Sequence, residues 1–474
     1  MFLFFIVSAF SLHTNIHYNG RQPLALKDTN EVQYKVDGTE MTITGDGQVT
    51  EDGVVSALQN VGMKKEELTK VSIDGPSVID GNSFNGCQRL KEVVLSKSVE
   101  NIQTRAFYMC ISLESIDLVN VNSVGPSAFQ GCAVLKEVKM YSSLKYINDY
   151  AFADCPMIQY IDIPKSVVSL GAWSFVECNA AERLTFDPDC PITSIPKYCF
   201  CQLHKITEVT LPKYVSIIEQ GAFYHCPELK SITISERVET IGESAFSYCM
   251  GMTEFIVHEA NPNYKSIDGV LYNKEGTLLL QYPLKRGPTY VLPNTVVEIK
   301  DLAIASTVEL VNFSCEANSK LSILPTLTFW YAEKLKYVQF PASLTNFSTM
   351  PFMDCPTVDY FTYCGTAVGN VKGFLVGSNI VYVHVTDEYP AQSFAGRPVK
   401  RDAFCDYHTI HLANEKKVIV EGNDNSKKIG LSLVVVGGIV VVSIIVALFV
   451  KISRKKNVSI IDEEINHSKL IADA

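Results

Sequence analysis

The groups in this chain best equipped for chemistry are its 14 cysteines, and one of them stands in the pattern Cys405-x-x-His408-x-x-His411. Cysteine and histidine are zinc ligands, but a closed zinc site takes four donors and no fourth stands nearby. The competing use of Cys405 is a disulfide to Cys364 in the same C-terminal region. On balance neither a metal nor a cofactor is expected. Nucleophilic chemistry has no better footing. The chain carries no Gly-x-Ser-x-Gly, His-Glu-x-x-His, phosphate loop or dinucleotide fingerprint, and its carboxylates are scattered, so the reading is non-enzymatic. Charged residues make up 19% and the net charge is −10, which gives nucleic acid no basic face to bind. Two further groups invite modification: Asn312-Phe313-Ser314 and Asn346-Phe347-Ser348 are N-glycosylation sequons. Asn457 and Asn466 also stand in sequons, within the C-terminal tail.

Most of the other cysteines belong to a beat. Ser-Phe-Asn-Gly-Cys ends at Cys87, Ala-Phe-Tyr-Met-Cys at Cys110, Ala-Phe-Gln-Gly-Cys at Cys132, and the motif returns at Cys155, Cys178, Cys226 and Cys249. The phenylalanines keep time more strictly, at 84, 107, 129, 152, 175, 200, 223 and 246, spaced 22 to 25 residues apart. After a pause the beat resumes at Ile304, Phe329 and Phe352. Six residues after each Phe comes apolar-x-x-apolar-x-apolar, as in Leu90-Val93-Leu95 and Leu229-Ile232-Ile234, which reads as one strand with one buried face. A turn and a short helical turn complete the repeat. Strand, turn and helical turn in about 23 residues make one coil of a leucine-rich-repeat solenoid, here 11 coils stacked through nearest neighbours. The expected fold is β-rich, with short strands in one curved sheet and short helical turns opposite. The repeat cysteines are expected as buried thiols acting as small apolar residues, with Cys199 and Cys201 out of phase.

Such a sheet leaves its outward positions free for a partner. Those candidates are Asp117, Tyr160, Asp162, Arg183, Thr185, Thr210, Thr233, Tyr337 and Tyr360, with Tyr and Arg the types that anchor interfaces. Asn312 falls on the same face, where a glycan would block binding locally.

The ends set the compartment. Residues 1–11 read as a cleaved signal peptide, 12–64 as an N-terminal cap, 65–365 as the repeats, with a hairpin insertion over 258–288, and 366–412 as a C-terminal cap. A polar stalk follows over 413–428. Residues 429–450 are 22 without a charge, about 33 Å as a helix against a hydrocarbon core of about 30 Å, and predict one transmembrane α-helix. The basic residues after it make 451–474 a cytoplasmic tail, giving a single-pass type I plasma-membrane protein with its N-terminal part extracellular.

The run L-x-x-I-x-L-P-x-S-V-x-x-I-x-x-x-A-F-x-x-C resembles the BspA-like leucine-rich-repeat surface proteins. Leu229 to Cys249 stands close to it, and so does the insertion from Asn261 to Tyr272. Leu203, Ile304, Thr307 and Ala332 depart from it. A C-terminal helix with a short basic tail is similar to the trichomonad members. The resemblance implies adhesion to host cells, extracellular matrix or other microbes, through an extracellular protein or glycan partner. Two alternatives stay open, a signalling or endocytic receptor that uses the tail and a structural or variable surface antigen without a dedicated ligand.

Overall fold

The computed structural model describes residues 31–368, 373–403 and 405, and the backbone of 431–436 and 439–444. The expected signal peptide, the stalk, the tail, His408 and His411 lie outside the described residues.

The stack begins with an antiparallel pair, Gln33–Asp37 with Glu40–Thr44, and the second of these strands runs parallel to Lys70–Asp74, which pairs in turn with Glu92–Leu95. Between them lies the one α-helix of the described residues, Glu51–Asn60, which turns Val54 and Leu58 into the core. Thr50 starts it, its hydroxyl accepting from the Gly53 N–H at 3.1 Å, one of the donors a helix cannot satisfy internally.

Each coil then contributes two strands, not one. The longer, such as Tyr160–Ile163 beside Arg183–Phe186, buries alternate residues and exposes the rest. The shorter is two residues, and six of these form a second parallel sheet from Gln48–Val49 to Ser169–Leu170. The structure therefore corrects the expectation of a single sheet. It also corrects the expected helical turns, because the Phe segments are chains of i→i−3 bonds, as in Asn85 N–H to the Asn82 carbonyl and Cys87 N–H to the Phe84 carbonyl. Two residues per turn are left-handed, two before and two after the Phe, for example Tyr150 and Asp154 or Tyr198 and Gln202. Non-glycine residues reach that conformation at a cost of order 1 kcal/mol each. What offsets it is the contact to the next coil, since Tyr150, Phe152 and Asp154 all donate N–H groups to carbonyls of the neighbouring turn.

The phenylalanines stack face to face down the axis, with centroids 5.2 Å apart for Phe84–Phe107 and 5.9 Å for Phe223–Phe246. Every one of these rings is buried. The cysteines have a function beyond filling space. Cys110, Cys132, Cys155, Cys178, Cys226 and Cys249 each donate the thiol to the Phe carbonyl of the preceding coil, at 3.1–3.4 Å. Cys364 and Cys405 form a disulfide, and this uses up the sulfur that a metal would need.

The array is interrupted by Tyr264–Ile267, Val270–Asn273 and Leu278–Gln281, an antiparallel three-stranded insertion. Here the core divides. Leu271 belongs to the first half, Val270 and Tyr272 to the second. Val383–Val385 continues the long sheet beyond Tyr360–Tyr363.

In the second compact unit, Leu431–Val436 and Ile439–Ile444 pair as antiparallel strands. This differs from the helix expected there. Two Val- and Ile-rich runs on either side of Gly437-Gly438 carry a strong local β preference. Among the described residues no helix is long and apolar enough to cross a membrane.

Candidate functional site

Parallel register places equivalent residues of successive coils side by side, so a face is built column by column. Tyr160 sits opposite Arg183, and Asp162 opposite Thr185. The Arg183 guanidinium lies over the Tyr160 ring at 4.6 Å and grips Asp162 with two bonds, Nε to Oδ1 at 3.0 Å and Nη2 to Oδ2 at 2.6 Å. The Thr185 hydroxyl donates to the same carboxylate. Partial burial alone would raise the Asp162 pKa, but the guanidinium and the hydroxyl outweigh it and hold the carboxyl below its usual range. Tyr160 remains 46% exposed, so the cluster offers a tyrosine face backed by a cation and an oriented carboxylate. That is recognition chemistry, stacking plus directed hydrogen bonds, with no group poised to attack. The thiols do not supply one either, since burial pushes Cys87, Cys199 and Cys201 up to about 12.

Thr210 and Thr233 sit opposite each other in register, in the next sheet of the stack. Asp117 does not join the Arg183 cluster. It pairs in register with Lys139 and accepts from the Tyr141 hydroxyl at 3.1 Å.

Tyr337 and Tyr360 form a second group in the later coils, opposite each other with centroids 5.8 Å apart. Residues outside the expected columns extend it. His384 stacks on Tyr360 at 4.2 Å and its Nδ1 lies 2.7 Å from Asp402, while the Lys400 ammonium lies over Tyr382 at 4.1 Å. The alternation from Ile380 to Val385 carries the signal, since it puts Tyr382 and His384 outward from a strand.

One candidate is overturned. Asn312 is only 3% exposed, in a strand buried at all four positions, and its Nδ2 already reaches the Thr289 hydroxyl at 3.3 Å. A glycan needs that nitrogen free and facing solvent, so Asn312 cannot carry one in the folded chain. Asn346 is exposed. Among the described residues no three His, Cys, Asp or Glu side chains gather as metal ligands.

The opposite side of the coils carries a ribbon that the strand pattern does not reveal. Tyr150, Trp173 and Tyr198 stack at 6.0 and 4.1 Å, and Tyr224 and Tyr248 continue it edge to face. Gly221 has to be glycine here, because a Cβ would fall 2.2 Å from the Tyr198 ring.

Comparison with known proteins places these features. The chain matches the BspA type Leucine rich repeat region, in six copies, over residues 59–182, 182–274 and 288–371. No curated protein matches it. Among solved structures it is similar to a leucine rich cell surface protein from Faecalibacterium prausnitzii, with 20% identity, a TM-score of 0.42, and coverage of 77% of this chain and 95% of that one. It is also similar to the pneumococcal vaccine antigen PcpA, with 16% identity, a TM-score of 0.41, and coverage of 78% and 90%. For the leucine rich repeat protein of T. pallidum the identity is 23%, the TM-score 0.26, and the coverage 48% and 78%.

Proposed function

Because the chain belongs to the BspA-type leucine-rich-repeat family, we propose that it is a non-enzymatic surface protein that binds an extracellular protein or glycan through its strand face and serves in adhesion. The observation that carries this reading is the Tyr160–Asp162–Arg183–Thr185 cluster, where four outward side chains from two coils converge on an exposed tyrosine face. A merely solvated strand face has no need of a bidentate arginine held under an aromatic ring. Solenoid faces bind extended partners over several coils, so the Tyr337–Tyr360–His384 stack forms a second contact, on the sheet of the later coils.

The uncharged stretch 429–450 anchors this protein in the plasma membrane as a single-pass type I helix. In lipid, an isolated two-stranded hairpin leaves edge N–H and C=O groups without partners, at several kcal/mol each, whereas a helix satisfies all of them internally. The N-terminal part then lies outside, and Asn346 is its glycosylation site.

The test displays the full chain on a non-adherent cell and measures attachment to host cells, matrix proteins and other microbes. Attachment should fall at least about tenfold in Tyr160→Ala/Arg183→Ala, a loss of the size an interface hot spot gives. Equal attachment by the variant, or none by the parent chain above untransfected cells, refutes the reading.

A further inference from the structure

In the regular array, the N–H groups at the Phe and two residues to either side donate to carbonyls of the next coil. Gly221, Phe223 and His225 do so to Glu243, Ala245 and Ser247 at 2.8–3.0 Å. One coil later the ladder stops. The N–H groups of Ser244, Phe246 and Tyr248 meet no acceptor among the described residues. The cause is the route of the chain. Leu278–Gln281 returns from the insertion beside Glu298–Ile299 and then cuts straight across, Tyr282 donating to the Ala303 carbonyl and Leu284 accepting from Val308, both at 2.8 Å. This coil has its strands but no Phe turn.

The missing turn leaves a cleft of about 580 Å³, within the range of ligand sites. One wall presents Ser244, Phe246 and Ser247, the other Asp301 and Leu302, with Leu280 between them. The far wall carries an acceptor. The Asp301 carbonyl stands where those of other coils receive an N–H group, and it receives none among the described residues. Unpaired donors on one wall thus share the slot with an unpaired acceptor on the other, over an apolar floor. Glu243, Glu298 and Asp301 line it against a single cation, Lys300, and none of the four is in an ion pair among the described residues.

We propose that this cleft binds an extended polypeptide segment of a partner protein, with alternate apolar and basic side chains, which takes the place of the absent Phe turn. Backbone carbonyls of the segment accept from the Ser244 and Phe246 N–H groups, and its own N–H donates to the Asp301 carbonyl. Its apolar side chains lie on Phe246 and Leu280, and its basic ones meet the acidic rim. Peptide is favoured because only a polypeptide offers donors and acceptors at the alternation both walls present, the principle by which a strand adds to an open sheet edge. The cleft is separate from the strand face, so its test is decided whether or not that face binds.

The probe is a fluorescein-labelled peptide, Lys-Leu-Lys-Val-Lys-Leu-Lys, titrated against the purified full chain, with Glu-Leu-Glu-Val-Glu-Leu-Glu as its counterpart. The basic peptide should saturate at one site and bind at least about tenfold tighter than the acidic one. Ser247→Trp and, separately, Leu280→Trp should each abolish binding by filling the cleft from a different side. In the unmodified chain, hydrogen exchange at the Ser244 and Phe246 amides should slow when the basic peptide is added. No saturable binding, equal binding of both peptides, or full binding by either folded tryptophan variant overturns the proposal. So does protection of the Ser244 and Phe246 amides before any peptide is present: if it is independent of concentration, it assigns the cleft to a segment of this chain, and if it grows with concentration, to a second copy.

Discussion

Raising the pH acts on this chain through thiols that the fold keeps from ionising. Cys87, Cys199, Cys201, Cys315 and Cys355 are all pushed from 9.0 up to about 12, in each case chiefly by burial. Between those two values the unfolded chain has lost protons that the folded chain still holds. Stability is therefore complete below about pH 9 and falls as the pH rises toward 12. At about pH 10 each such thiol costs on the order of 1 kcal/mol, and the five together several kcal/mol. That is comparable to the whole stability of an ordinary domain, about 5–15 kcal/mol. The coil holding both Cys199 and Cys201 is loaded twice, so it opens first, as a stack coupled only through neighbours allows. The assay follows thiolate absorbance and far-ultraviolet circular dichroism together as the pH is raised. Thiolate should stay low past pH 9 and then appear in step with loss of the sheet signal, and exchange protection should fail earliest around residues 199–203. Thiolate appearing with a midpoint near 9 while the sheet signal persists would refute the reasoning.

Other expectations follow from individual contacts. Phe152→Ala removes a ring stacked on both neighbours and should cost about 3–5 kcal/mol, read as a lower unfolding midpoint with protection lost first in the adjoining coils. In chain secreted from a eukaryotic host, peptide mass spectrometry should find a glycan on Asn346 and none on Asn312; a glycan on Asn312 would mean its strand is open during folding or after it. Arg183→Ala should bring the Asp162 carboxyl up toward its ordinary value in an NMR titration. The present depressed value means that its pairing contributes above the usual carboxylate range and is lost as the pH falls.

The repeat was legible because Phe, Cys and the alternating strand residues are each dictated by burial, and burial writes itself as periodicity. The outward columns were legible for the same reason, and register then brought Tyr160, Asp162, Arg183 and Thr185 together. What the sequence hid depends on neighbours along the stack. Asn312 occupies an outward phase, yet it is flanked in register by Thr289 and Tyr337 and lies buried. Left-handed turns at Arg105, Trp173 and Tyr198 carry none of the glycine or asparagine that would announce them, because bonds to the next coil hold them there. The ribbon of aromatic residues on the turn side was hidden with those turns.

The departures from the repeat acquire a physical meaning only once the break in the array is seen. A repeat cysteine works by giving its thiol to the Phe carbonyl of the coil before it, as Cys249 does to Phe223. Thr307 stands in that phase, but in the coil before it Tyr282 holds the Phe phase and its carbonyl accepts from Gln281 Nε2 at 3.4 Å. The Thr307 hydroxyl is buried with no partner among the described residues. Ile304 replaces Phe in that same coil, since the ladder of stacked rings has already ended at Phe246, whose next contact is the edge-on ring of Phe255. One coil later Ala332 replaces Cys, and only Cys355 restores the bond, to Phe329 at 2.8 Å. Four residues that looked like drift from a consensus thus do not share one cause. Ile304 and Thr307 stand in the coil beside the break and Ala332 has no structural explanation, whereas Leu203 sits in an unbroken stretch where Cys201 has moved two positions aside and is itself buried. A substitution that restores the consensus should therefore stabilise at neither place by default. Thr307→Cys meets a carbonyl that Gln281 already occupies and should leave the unfolding midpoint unchanged or lower it, while the same midpoint rising by several degrees would show that the carbonyl is still within reach.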